Sequence, residues 1–334
     1  MDFKDLDGMP RLLMEIELEP IQGDRFQPTG FADLGAAVYQ GPSNKRMLLV
    51  ESAQSVANRL EQTCLDGNGP RIAKAFEGLP YIVAKLTGAT DAETSSLVEA
   101  HRINSPYIIS NSEFKESFKN KASYSRGQPL NWKKIAAALF YYDPNALLHG
   151  AFMANLDDGR IKVPRALTGF IEAEGVREAA SGGVKNNLLD PTGKIRAENY
   201  NENVYGNVPY HRMEYTADRI VAYFNFDLAL LEGYGLEPEA RDLLVALGLY
   251  KIKRFLSNGL RLRTACDLKP RGTIKMIAPD KFTLPEEKVL LAAVQKGIEA
   301  CTVKGLFSVP PVTEIITKVV QKKTEGEEAG TEAA

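Results

Sequence analysis

Histidine is the side chain that trades protons most readily near neutral pH, and the sequence holds three: His101, His149 and His211. None stands two to four residues from another, so a metal site built mainly from histidine is not expected. One histidine is enough for a general base in RNA cleavage, but a structural role is the simpler reading of each, and His211 follows a long irregular stretch. His149 sits in an apolar run and reads as a satisfied core residue, and His101 reads as part of a helix. Gly193-Lys194 is followed by Ile195 and has Leu188 where a P-loop needs its first glycine. Gly233-Tyr234-Gly235 lacks the third glycine of a dinucleotide fingerprint, and no G-x-S-x-G elbow occurs. The three cysteines, Cys64, Cys266 and Cys301, form no C-x-x-C pair and read as reduced thiols of a cytosolic protein. Asp157-Asp158 reads as a turn. No cofactor and no metal is expected.

Charge is more informative. Between Lys251 and Lys275 stand eight basic residues, Lys251, Lys253, Arg254, Arg261, Arg263, Lys269, Arg271 and Lys275, against one acid, Asp267. Arg261 and Arg263 are two apart, so on a strand they share a face. Two guanidinium groups in register can meet successive phosphates of an extended backbone. A solvated helix end followed by an exposed strand is the competing explanation. A second signal lies in Ser181 to Asn187 (SGGVKNN), where bare amides adjoin Lys185, Asn186 and Asn187, a composition that can hold phosphate or form a plain turn. Downstream, Tyr200, Tyr205, Tyr210 and His211 interleave with Lys194, Arg196 and Arg212. Rings among cations suit single-stranded nucleic acid, or packing at the base of a loop.

These segments need elements to position them. The chain has 334 residues with 41 Lys+Arg, 43 Asp+Glu and a net charge of -2. That profile is ordinary for a globular protein and excludes a polycation, a disulfide scaffold and general disorder. The N-terminal residues are acidic and mixed and read as no signal peptide. The longest apolar run, Ile135 to Tyr142, is too short for a membrane span. Arg11 to Pro20 alternates and predicts a strand with one buried face. Leu48 to Gln62 and Ala92 to Asn104 read as helices, Tyr81 to Thr87 as a strand, and Ser110 to Gln128 as polar and mobile. Asn131 to Tyr142 predicts a helix capped by Asn131. Ala146 to Asn155 and Ala166 to Glu174 read as strands. Gly175 to Arg212 has little periodicity and reads as a projecting hairpin or loop. Glu214 to Leu231 reads as a long strand and Pro238 to Leu256 as a helix. Leu260 to Leu268 and Gly272 to Ala278 read as strands, and Pro285 to Cys301 as a helix. The order is α+β.

Several blocks also match one family: Gln22 to Phe31 (QGDRFQPTGF), Leu49 to Ser55 (LVESAQS), Glu99 to Arg102 (EAHR) and Asp143 to Gly150 (DPNALLHG). So do Pro164 to Val176 (PRALTGFIEAEGV), Ser181 to Asn187, Tyr250 to Leu256 (YKIKRFL) and Leu260 to Leu268 (LRLRTACDL). Over residues 10–280 the chain resembles the CRISPR-associated RAMP proteins of type I-G (formerly I-U) systems, the Cas-seven type backbone subunits of Cascade. The resemblance implies a ferredoxin-like (RRM/RAMP) palm with helical finger insertions and a hairpin thumb. On this chain the palm would take 10–65, 129–174 and 214–320, the fingers 66–128 and the thumb 175–213. Residues 322–334 would be a disordered acidic tail. Without that tail the two charge signs balance, so a basic window implies acids concentrated elsewhere.

The resemblance also implies a non-catalytic subunit that polymerises along CRISPR RNA in the cytoplasm, for DNA-target recognition in antiviral defence. Its partners would be the guide, the target DNA strand through the guide, neighbouring copies, and the large and Cas-five/Cas-six type fusion subunits, with no membrane. No RNP1 sequence occurs, so stacking on the sheet is not expected, and phosphate and 2′-OH contacts should dominate. The RNA-binding candidates are Arg25, Arg59, Arg102, Arg165, Lys185, Asn186, Arg212, Lys253, Arg254, Arg261 and Arg263. Each competes with a structural role in an Arg–carboxylate pair. The alternative function is a metal-independent RAMP endoribonuclease that processes precursor CRISPR RNA.

Overall fold

The structure, a computed structural model, describes residues 3–31, 33–42, 44–67, 69–195 and 206–321. Its frame is a βαββαβ unit: β1 (Arg11–Pro20), α1 (Ala53–Gln62), β2 (Leu167–Glu174), β3 (Arg219–Asp227), α2 (Pro238–Ser257) and β4 (Cys266–Ala278). These strands lie in the order β4-β1-β3-β2, the ferredoxin-like arrangement, with every neighbouring pair antiparallel. Leu260–Arg263 extends the sheet beyond β4, and Arg46–Glu51 and Val38–Gln40 extend it beyond β2, which makes seven strands.

Alternation explains the layering. Leu12, Met14, Ile16 and Leu18 of β1 are buried, while Glu15, Glu17 and Glu19, which alternate with them, are not. α2 packs against the buried side so closely that Gly248 lies against the ring of Phe226. The opposite face is polar. There Phe170 and Tyr223 stack at 5.0 Å, Tyr39 donates to Glu172 at 2.6 Å, and Arg219 reaches Glu17 at 2.7 Å.

Two insertions leave this frame. Between β2 and β3 the strands Arg177–Asn186 and Asn207–Thr216 form a separate antiparallel hairpin. Between α1 and β2, Tyr81–Gly88 pairs with Ala92–Ser95 and, in parallel, with Val312–Val319. The helices Ser112–Ala122 and Trp132–Tyr142 follow, the latter capped by Asn131, whose side chain accepts from the Lys134 amide at 3.2 Å.

Several expectations are corrected. Leu48–Glu51 is the end of a strand, and the helix starts only after Ser52, which accepts the Ser55 amide. Ala92–Asn104 is not a helix; its first four residues form a strand and only Arg102–Asn104 makes a single 3-10 turn. Ala146–Asn155 is not one strand. Asn145–His149 is a helix whose five residues are all buried, followed by the short strand Ala151–Phe152. Such a helix has no polar face, so its run cannot be told from a strand by periodicity. Ser110–Gln128 contains the Ser112–Ala122 helix. Glu214–Leu231 divides into the end of the hairpin, β3 and the short helix Leu228–Gly233. The acidic tail expected at 322–334 lies outside the described residues.

Candidate nucleic-acid interface

The hairpin emerges from one end of the sheet, and the loop after β1 is stitched to its base. The amides and carbonyls of Phe26 and Tyr215 exchange two hydrogen bonds of 2.9 Å each. Just beside this bridge the carboxylate of Glu214, 4% exposed, holds two of the predicted arginines. Arg212 approaches it at 2.7 Å and Arg25 at 3.7 Å. They line a groove of about 450 Å³ with Pro20, Ser181 and Asp267. Lys185 and Asn186 stand exposed farther along the hairpin.

Ser181–Asn186 is a paired strand rather than a phosphate-cradling loop. Gly182 is there because a Cβ would lie 2.6 Å from the Tyr210 carbonyl oxygen across the ladder. Tyr210 and His211 are exposed on the partner strand. Arg196, Tyr200 and Tyr205 lie outside the described residues.

Arg261 and Arg263 part company. The ladder between Leu260–Arg263 and β4 shifts register between them. Arg261 is 79% exposed in its side chain, with Asp267 3.8 Å away. Arg263 turns inward, donates to the carbonyls of Gln27 and Val50 at 3.1 Å and pairs with fully buried Glu51. Arg59 grips the same carboxylate at 2.8 Å and bonds the Leu262 carbonyl. Burial pulls the pKa of both Arg59 and Arg263 below the usual guanidinium range. Arg59 and Arg263 thus fasten α1, the Arg46–Glu51 strand and the Leu260–Arg263 strand together.

Arg102 is 8% exposed and makes a bidentate pair with Glu61 of α1. Lys253 and Arg254 tie α2 to Glu286 and Glu287 at the start of the Glu287–Val303 helix, at 3.3 and 3.2 Å. Arg165 donates to the His149 carbonyl at 3.1 Å and to Gln54, and has no carboxylate partner among the described residues.

Arg165 and Arg102 meet in a second cleft, of about 1030 Å³, that contains no Asp or Glu in its lining. It lies at the start of β2, whereas the hairpin leaves from the end. Phe152 and Lys162, neither of which the sequence singled out, belong to it. Only the fold pairs them across a short ladder. At its wall is His149, fully buried, whose Nε2 lies 2.8 Å from Lys251 Nζ. Burial, then the charges of Lys251, Arg102 and Arg165, holds the His149 pKa well below the usual imidazole value. Lys251 also donates to Asn145 at 2.6 Å. Among the described residues no grouping of His, Cys, Asp and Glu fits a metal ion, and no helix is long and apolar enough to cross a membrane.

Sheet order and inserted hairpin define a ferredoxin-like α+β protein, with Arg25 and Arg212 set among Asp24, Glu214 and Asp267 in the groove at the root of its hairpin. Residues 12–178, half of the chain, match the family model for CRISPR-associated protein GSU0053, and the chain belongs to that family. No curated protein matches it. Among solved structures, one described as a CRISPR RNA-guided surveillance complex, pre-nicking, is 16% identical with a TM-score of 0.41, over 78% of this chain and 74% of that one. Thermofilum pendens Csc2 is 8% identical with a TM-score of 0.30, over 92% and 82%. A further CRISPR RNA-guided surveillance complex is 12% identical with a TM-score of 0.28, over 88% of each chain.

Proposed function

We infer that this chain is a non-catalytic CRISPR RNA-binding subunit. It polymerises along the guide as the backbone of a type I Cascade, of the I-G kind, and serves DNA-target recognition in antiviral defence. The observation that carries this reading is the hairpin inserted between β2 and β3, with Arg25 and Arg212 held at its root. Membership of a CRISPR-associated family supports it. In this reading residues 10–65, 129–174 and 214–320 are the palm, 66–128 the fingers and 175–213 the thumb. Arg25, Lys185, Asn186, Arg212 and Arg261 meet the guide, whereas Arg59 and Arg263 hold the palm together and Arg102 ties the fingers to it. On the open sheet face Glu15, Glu17 and Glu174 stand against Lys275, Arg271 and Arg219, so the charges there are mutually engaged, and in this reading the guide runs at the hairpin end. The neighbouring copy, the large subunit and the Cas-five/Cas-six type fusion are its protein partners, in the cytoplasm.

The endoribonuclease alternative needs a poised base. His149 is buried, held neutral and engaged with Lys251, and His211 lies on an exposed strand opposite Gly182. Labelled CRISPR repeat RNA, incubated with the protein without metal, tests the choice. The reading expects salt-sensitive binding and intact RNA. Cleavage that disappears in His211→Ala, or no binding at low salt, contradicts it.

A further inference from the structure

We propose that the cleft at the start of β2 holds one nucleotide of single-stranded RNA, its base stacked on Phe152 and its phosphate between Lys162 and Arg165. This inference rests on the RNA-binding reading above and adds a second point of attachment, at the end of the sheet away from the hairpin.

Three independent features point there. The first is charge. Lys162 and Arg165 have no ion-pair partner among the described residues, and no acid lines the cleft. Arg102, at the wall, is already neutralised by Glu61. An anion entering the cleft therefore meets two cations without an ion-pair partner and displaces no existing ion pair.

The second is the ring. Phe152 is 49% exposed, and Lys162 Nζ lies 4.6 Å from its ring centroid on the facing strand. An exposed aromatic beside a cation is the arrangement that binds single strands, because every base has a face to stack and every nucleotide a phosphate. It is tolerant of sequence, as a holder of variable guides must be. The cleft, at about 1030 Å³, is roomy enough for a nucleotide.

The third is an unsatisfied donor. The ammonium of Lys251 can only donate, so His149 Nε2 accepts and its hydrogen sits on Nδ1. Nδ1 is buried and has no protein partner. Buried polar atoms without partners are uncommon; Nδ1 is closed to solvent, so an acceptor oxygen of a bound nucleotide would satisfy it only with a small opening of this wall.

The test uses the full chain and a fluorescent single-stranded repeat RNA, with anisotropy across a salt series. Phe152→Ala should weaken binding roughly tenfold, the scale of one lost stacking contact, and leave the salt slope unchanged. Phe152→Tyr should restore it. Lys162→Gln should lower the slope by about 0.7, one phosphate contact on a single strand. Both residues are exposed, and an unchanged melting temperature confirms that neither substitution acts through folding. Wild-type affinity and slope in both variants would overturn the cleft assignment while leaving RNA binding in place. A wild-type protein that binds no RNA would overturn the RNA reading and this inference with it. Photocrosslinking of 4-thiouridine RNA to Phe152 gives the last arm. Protection by AMP at lower concentration than by the oligonucleotide would reassign the cleft to a free nucleotide and overturn its assignment to a strand.

Discussion

Arg102 and Glu61 meet through two parallel hydrogen bonds of 2.7 Å each, in a site where both side chains are almost wholly buried. The pair pins the Arg102–Asn104 turn to α1. It draws a line through the arginines of this protein: some are internal fasteners and some are available to a ligand.

Removing one member of a buried ion pair leaves the other charge without compensation. Arg102→Ala should therefore cost about 3–5 kcal/mol of stability, read from denaturant midpoints. A loss below about 1 kcal/mol would mean that Glu61 remains solvated or finds another partner.

Arg261 and Arg263 should behave as opposites. Arg261→Gln should change stability by no more than about 0.5 kcal/mol and lower the salt slope of RNA binding by about 0.7. Arg263→Gln should destabilise the fold, because buried Glu51 then keeps only Arg59 as its cation. Equal effects of the two on the salt slope, without a stability difference, would contradict this division.

Asp143 makes stability depend on pH. Burial above all raises its carboxyl pKa to about 6, and nearby Glu61 adds to the effect, while hydrogen bonds from Ser96 and the Asn145 amide and the charge of Lys251 oppose it. The folded protein favours the protonated acid. The stabilisation is complete below the unfolded pKa, about 3.9, and is lost as pH rises through about 6. The loss is of the order of 3 kcal/mol by linkage. Asp143→Asn keeps the oxygen that accepts from the Asn145 amide at 3.0 Å. It should flatten the profile between about pH 4 and 6 and make the protein more stable than wild type at pH 8. Denaturant midpoints across that range decide it.

Gly248 offers a contest between propensity and packing. Alanine in a helix interior gains about 1 kcal/mol over glycine. Here the new Cβ would sit 2.6 Å from two ring carbons of buried Phe226, and overpacking costs about 1–3 kcal/mol. Because that ring is enclosed by sheet and helix, Gly248→Ala should be destabilising overall, by about 1 kcal/mol, in thermal denaturation. A stabilised variant would show that α2 can move off the sheet at little cost.

The parts of this fold that were legible in the sequence are those whose burial is one-sided. β1 announces its inner face through Leu12, Met14, Ile16 and Leu18, and the hairpin announces itself as a stretch where periodicity stops. The helix Asn145–His149 did not, because it is buried all round. The Arg46–Glu51 strand merged with α1 because Leu49 falls where the helical spacing would also put an apolar residue, and only Ser52 marks the boundary. The Val312–Val319 strand gains its meaning from a parallel neighbour at Tyr81–Gly88. For the site, residue type identified the cations, but not which of them were already taken. Glu51, Glu61 and Glu214 decide that, through contacts that no local pattern encodes. Phe152 and Lys162 went unnoticed for the same reason.

The central claim is assembly on RNA. The protein should purify from cells with bound, heterogeneous RNA, as oligomers that shorten when nuclease trims the strand. Light scattering with absorbance at two wavelengths, before and after nuclease, reads both quantities at once. Oligomers whose size falls as RNA is removed support the account, and a nucleic-acid-free monomer before any treatment would contradict it.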